Sequence, residues 1–228
     1  MKLLLSAATA FCALSMTAHA STLFPGSAMV TPDLLSLTGL TLVASEVGVV
    51  LNSQTFTSTL NAAVYSGTNS VCTGANCLTF AYQVTDTGGV GSGTGIIEDL
   101  TGSNFSTFST DVGYDSLAVA SSVFAAGGSA PVSVGRSLSG PGAVVTFNYP
   151  DTTSGSSELL PGDHTSVLIV ETNAVNFTTG LFSGIDGATA TTNASGPTSP
   201  APEPASMFLI GSSLLGLGLI GRRLRRQN

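Results

Sequence analysis

Between Ser21 and Ala201 apolar residues recur at every second position in short runs, and each run is closed by a cluster of Gly, Asn, Asp or Pro. Leu78, Phe80, Tyr82 and Val84 fall on one side of such a run, with Thr79, Ala81, Gln83 and Thr85 on the other. Val145, Phe147 and Tyr149 alternate in the same way with Val144, Thr146 and Asn148. The run Val167-Leu168-Ile169-Val170 is apolar on both sides, which predicts a central strand. Leu60 to Tyr65 and Ser116 to Ala120 are further candidate strands. No stretch in this region has a capped helical stripe, so the expected fold class is all-β. Roughly eight to ten strands of ordinary length in one domain point to a β-sandwich. A β-solenoid is the alternative, but it requires a fixed short repeat that this sequence lacks.

The chain has 228 residues, enough for one domain with a sizeable core once two short terminal segments are set aside. Only 8% of residues are charged, and Gly, Ser and Thr solubilise the chain instead. Charge is unevenly placed. Twelve acidic residues lie from Asp33 to Asp186 and Arg136 is the sole basic residue between Ser21 and Ala201, a formal charge of −11 for the central region. Such a surface repels a phosphate backbone, which excludes nucleic acid as a partner.

The first twenty residues read as a signal peptide. Lys2 precedes an apolar run to Met16, and Ala18-His19-Ala20 supplies the small residues a signal peptidase needs before Ser21. Cleavage between Ala20 and Ser21 removes Cys12 and His19, leaving Cys72, Cys77 and His164 in the exported chain.

At the other end, Ala205 to Gly221 is an uncharged apolar stretch whose helix would rise about 25 Å, at the short end for a membrane span. Arg222, Arg223, Arg225 and Arg226 follow and would stay on the cytoplasmic side, placing the domain outside. Pro202-Glu203-Pro204 stands directly before this stretch, and its two prolines hold Glu203 extended at the membrane surface. Residues 189–201, rich in Thr, Ser, Ala, Gly and Pro, read as a flexible spacer. The expected organisation is therefore signal peptide 1–20, β domain 21–188, spacer 189–201 and tail 202–228.

The tail, in its order of Pro202-Glu203-Pro204, glycine-containing apolar helix and arginine cluster, resembles the sorting signal of the PEP-CTERM class of bacterial exported proteins. That resemblance implies processing near the tripeptide by an exosortase-like membrane protease or transpeptidase, with transient anchoring in the inner membrane through the helix. The segments Val64-Tyr65-Ser66-Gly67, Leu78 to Val84 and Pro161-Gly162 leading into Ser166 to Ala174 are similar to the ectodomains that precede such tails. No catalytic residue comes with the likeness.

Cys72 and Cys77 flank a four-residue loop between two candidate strands, and in an oxidising compartment this spacing predicts a disulfide that pins the loop. A zinc site is excluded by the lack of further ligands, since His164 is the only histidine left. Other candidate chemistry is thin. Gly135-Arg136-Ser137-Leu138-Ser139 lacks the last glycine of a nucleophile elbow. Asp163 and His164 are neighbours, a poor arrangement for a triad, and His164 reads as a solvated turn residue. Glu98 and Asp99 would point to opposite faces of a strand. Gly88 to Gly95 matches no phosphate-binding spacing and reads as a loop. Two binding chemistries stay open: calcium at Asp111, Asp115 and Glu98-Asp99, and a sugar platform built of Phe105, Phe108 and Tyr114. The expected function is that of a non-catalytic structural or interaction protein of the cell envelope or exopolysaccharide matrix, without cofactor. A carbohydrate- or calcium-binding extracellular module is the alternative.

Overall fold

A computed structural model of the chain describes residues 22–90, 95–116, 121–149 and 159–199. Among these there is no helix. The strands are β1 (Asp33–Leu34), β2 (Thr41–Asn52), β3 (Phe56–Ser66), β4 (Leu78–Gly89), β5 (Asp99–Gly102), β6 (Thr110–Asp115), β7 (Ser133–Arg136), β8 (Val145–Asn148), β9 (Val167–Thr172), β10 (Asn176–Asp186) and β11 (Ala188–Thr198). They form a six-stranded sheet in the order β1-β6-β9-β4-β3-β2 and a five-stranded sheet in the order β11-β10-β5-β8-β7. All pairs are antiparallel except β1 with β6. The two sheets sandwich one core and close into no barrel.

The alternation read from the sequence sets which side of each strand faces the core. Phe80, Tyr82 and Val84 of β4 meet Leu100, Phe147 and Phe182 of the facing sheet, all fully buried or nearly so. Phe80 meets Phe105 edge-on with ring centroids 5.9 Å apart, and the Tyr82 ring lies 5.0 Å from that of Phe182. β9 runs between β6 and β4 and is buried on both sides, as its unbroken apolar run requires.

The segment before β1 stitches one side of the sandwich. Leu23 donates its N–H to Thr110 O, while Val30 and Val134 exchange both backbone bonds at 2.9 and 2.8 Å. Leu35 then donates to Tyr114 O. Residues 22–35 thereby cover the outer edges of β6 and β7, where unpaired backbone would otherwise invite another strand.

Over residues 189–198 the expected spacer is a strand, while residues 200 and 201 lie outside the described residues. Ala188–Thr198 is β11, paired in register along the whole of β10 after a turn at Gly187, whose φ of 58° suits glycine. Ala190 and Ala194 face the core, while Thr189, Thr191 and Asn193 face out. The strand is anchored further by Tyr82 Oη, which donates to Ser195 O at 2.7 Å. The alternation is present in the sequence, but with alanine as its apolar member it resembles a low-complexity linker. Of the candidate strand Ser116 to Ala120, residues 117–120 lie outside the described residues, and β6 ends at Asp115. The glycine-rich run reaches strand β4 at Gly88 and Gly89, with residues 91–94 outside the described residues.

Candidate functional site

The two outer faces of the sandwich differ in kind. On the six-stranded sheet, Ala63, Tyr65, Ala81, Val167 and Ile169 point outward and are buried beneath Val123 and Phe124, with Leu35, Leu37 and Leu40 alongside. Gln83 fastens this cover. Its Nε2 donates to Ala125 O at 2.9 Å and its Oε1 accepts from Ala125 N–H at 2.8 Å. Asn61 Nδ2 adds a bond to Val123 O.

On the five-stranded sheet most outward side chains across the middle of the sheet are small and polar, with Ile185 among them and Leu181 and Phe177 exposed further along β10. Strand register places Thr191, Ser183, Thr101, Thr146 and Gly135 in one row across all five strands, and Thr189, Ile185, Asp99, Asn148 and Ser133 in the next. All ten are exposed or half-exposed except Gly135. The hydroxyls of Ser183 and Thr191 lie 3.0 Å apart, and Asn148 Nδ2 donates to Ser133 Oγ at 3.0 Å. Asp99 is the single charge in the two rows, and burial raises the pKa of its carboxyl. The result is a field mainly of hydroxyl and amide groups, with one carboxyl at Asp99 and one apolar side chain at Ile185, on an otherwise acidic domain.

Arg136 adds no positive charge to any surface, because it is an internal strut. All five of its N–H groups are engaged: Nε to Gly142 O at 2.9 Å, Nη1 to Leu23 O and Thr110 Oγ1 at 2.9 Å each, and Nη2 to Phe105 O at 2.6 Å and Phe108 O at 2.8 Å. The chain bends to make this possible. Asn104 and Thr107 adopt φ of 76° and 69°, uncommon for residues with a side chain and costly for a β-branched one, in the loop that turns the Phe105 and Phe108 carbonyls onto the guanidinium.

The residues singled out from the sequence are dispersed. Cys72 and Cys77 are bonded, with Cα atoms 6.0 Å apart, and their loop reaches over the end of the six-stranded sheet. There Ser70 donates from its N–H to Glu171 Oε2 and from its hydroxyl to Asp111 Oδ2, both at 2.8 Å. Asp111 and Asp115 lie on β6, whereas Asp99 lies on β5 of the other sheet, so the four carboxylates weighed for calcium do not converge. Phe105 is buried in the core, where Tyr114 also packs, and Phe108 is half-buried, so the three make no platform. His164 bridges Thr85 through its backbone, and its ring Nε2 lies 3.3 Å from Ala126 O. With Asp163 it borders a shallow depression of about 270 Å³. Ser137 sits in the β7–β8 loop, its hydroxyl donating to Ser139 O and accepting from Val144 N–H. Ala18, Ala20 and Ser21, Pro202, Glu203 and Pro204, and Arg222, Arg223, Arg225 and Arg226 lie outside the described residues. No described helix is long and apolar enough to cross a membrane, and residues 205–221 are not among those described.

Reading the sequence did not find the open polar face, since that requires knowing which strands are neighbours. Its signal is the outward partner of each apolar residue: Thr101 beside Leu100, Thr146 between Val145 and Phe147, Ser183 beside Phe182. Comparison with protein-family models, with curated proteins and with solved structures finds no significant match to this chain.

Proposed function

We propose that this is an exported, non-catalytic interaction protein of the cell envelope or exopolysaccharide matrix, sorted through its C-terminal tail by an exosortase-like enzyme. The observation that carries the binding half of this reading is the asymmetry of the outer faces: the centre of one lies beneath an apolar cover, whereas the middle rows of the other leave mainly hydroxyl and amide side chains open. Such a face suits a hydrated, uncharged, hydroxyl-rich polymer, because it donates and accepts hydrogen bonds without an electrostatic preference. A polyanion gains nothing from it, since the one arginine among the described residues is used internally. The sorting half rests on the tail motif and on the export signal at the other end.

The test is retention of the mature domain on a panel of neutral and anionic glycans and on matrix material from the host. Wild type is expected to be held by neutral glycans and by the matrix. Thr101→Arg with Thr146→Arg, both surface changes, should weaken retention at least tenfold at unchanged melting temperature. Equal retention of the double variant sinks the assignment of the face.

A further inference from the structure

At the end of the sandwich where β3 begins and β4 finishes, the inward series of four strands change from apolar to polar. Ser58 and Asp86 are register partners on β3 and β4, continuing the buried series Phe56, Leu60 and Tyr82, Val84. On the facing sheet, Asp186 continues Phe182 and Gly184 on β10, and Tyr149 continues Val145 and Phe147 beyond β8. Gly184 pairs with Leu100 and Leu100 with Phe147, so Asp186 and Tyr149 take the next inward positions at one end. That end is the Ser58 and Asp86 end, because a Cβ placed on Gly184 would lie 3.1 Å from the Phe56 ring and Thr55 Oγ1 donates to Asp186 O at 2.7 Å.

Ser58 Oγ, Asp86 Oδ2, Asp186 Oδ2 and Tyr149 Oη are all buried without a hydrogen-bond partner; Asp111 Oδ1, elsewhere, is the one other such side-chain atom among the described residues. Ser58, Asp86 and Tyr149 are fully buried. Asp86 Oδ1 is satisfied by Gly88 N–H, which leaves its second oxygen and that of Asp186 as two acidic groups that feel one another's charge. Buried polar atoms left unpaired in this number call for a missing occupant.

We infer that this end of the core is an internal site for a divalent cation of the calcium class. The donors are all oxygen, with no nitrogen or sulfur to favour a transition metal, and two carboxylates supply the charge a hard dication needs. Among the described residues no three His, Cys, Asp or Glu side chains group as metal ligands. Asp86 and Asp186 therefore form the anionic part of the shell, main-chain carbonyls and water complete it, and the hydroxyls of Ser58 and Tyr149 hold those waters. Irregular shells of this kind suit calcium better than magnesium, which demands a regular octahedron. Water alone satisfies the hydrogen bonds but leaves the two charges facing each other. The competing occupant is a proton held on Asp86, whose carboxyl burial, against the Gly88 bond and together with Asp186 and Asp163, pushes up to about 6. This site stands apart from the proposed glycan face and does not depend on it.

The mature domain is stripped with chelator at pH 7.5, then titrated with calcium, magnesium and terbium while melting temperature and tyrosine-sensitised terbium emission are read. Calcium a hundredfold above its Kd is expected to raise the melting temperature by about 5 °C or more. Terbium emission should saturate and be displaced by calcium. Asp86→Asn and Asp186→Asn, close in shape to the native residues, should abolish both responses. The proposal is overturned if stripped wild type shows no saturable terbium signal and no calcium shift. A melting temperature that rises only as pH falls through about 6, and does so no longer in Asp86→Asn, assigns the site to a proton instead.

Discussion

Arg136 engages all five of its N–H groups with neutral oxygens inside the fold, and those oxygens belong to four separate segments: Leu23, Thr110, the loop at Phe105 and Phe108, and Gly142. A guanidinium suits this role because its planar fork fixes five directions at once, whereas an ammonium has three donors on a flexible stem. Gly142 belongs to the same device. Its φ is 75°, and a Cβ there would run into Arg136 Nε. Arg136→Lys is therefore expected to cost about 3 kcal/mol or more in urea unfolding, since it leaves buried carbonyls unpaired and a charge poorly held. Gly142→Ala should move in the same direction. A loss below about 1 kcal/mol for Arg136→Lys would show that water replaces the missing donors. None of this is legible in the sequence, where Arg136 is a lone basic residue in a Gly- and Ser-rich run. The identity of its partners depends on chain crossings, not on spacing. The buried Ser58 and Asp86 were closer to legible, because each interrupts an otherwise apolar inward series.

The strands read best where the inward residue is large. β3, β4, β8 and β9 follow the alternation of Leu, Phe, Tyr and Val seen in the sequence, and the burial of β9 on both sides follows from its apolar run. β11 was hidden because alanine marks its core side, and β1 and β7 because two to four residues carry too little pattern. The loop between β3 and β4 was predicted by its cysteines, but not the work it does as a lid on Asp111. That carboxyl is pushed up to about 6 by burial, against the Ser70 hydroxyl bond, with Asp33 and Glu171 adding repulsion. A carboxyl raised in the folded state keeps its proton where the unfolded chain has lost it. Its contribution to stability is complete below about pH 4 and is lost as pH rises through about 6. Replacing Cys72 and Cys77 together by Ser should lower stability by about 2 kcal/mol on the loop-entropy account. It should also flatten the part of the pH dependence that Asp111 supplies, because a loosened loop lets water reach the carboxyl. Melting curves at pH 4.5 and 7.5 check both. A parallel downward shift at the two values would mean that the loop holds its place without the disulfide.

Across the whole molecule the two chain ends of the domain sit differently. Residues 22–35 are stitched over the β6 and β7 edges, so the segment next to the expected new N-terminus at Ser21 is part of the sandwich. At the other end β11 runs to Thr198, and only Ser199, Pro200 and Ala201 separate the sheet from Pro202. The four steps from Thr198 to Pro202, even fully extended, span about 13 Å. On the proposed sorting route, an enzyme that recognises Pro202-Glu203-Pro204 must therefore work close against the folded domain rather than at the end of a loose tether. Glu203 is the one charged group in that tripeptide, and changing it to Ala leaves both the apolar run 205–221 and the arginine cluster intact, so topology should be preserved. The expected result in a host with an exosortase is an uncut, membrane-held form, larger than the processed wild type on a denaturing gel and by intact mass. Truncation after Ala201 should instead release the domain to the medium, because an acidic surface whose one arginine is internal has no affinity for anionic lipid. Inserting a flexible Gly-Ser segment after Ser199 should leave cutting unimpaired or improve it, by relieving the crowding beside β11. If Glu203→Ala is cut and distributed like wild type, the tripeptide is not read, and the tail acts as an anchor through its apolar run and arginines alone.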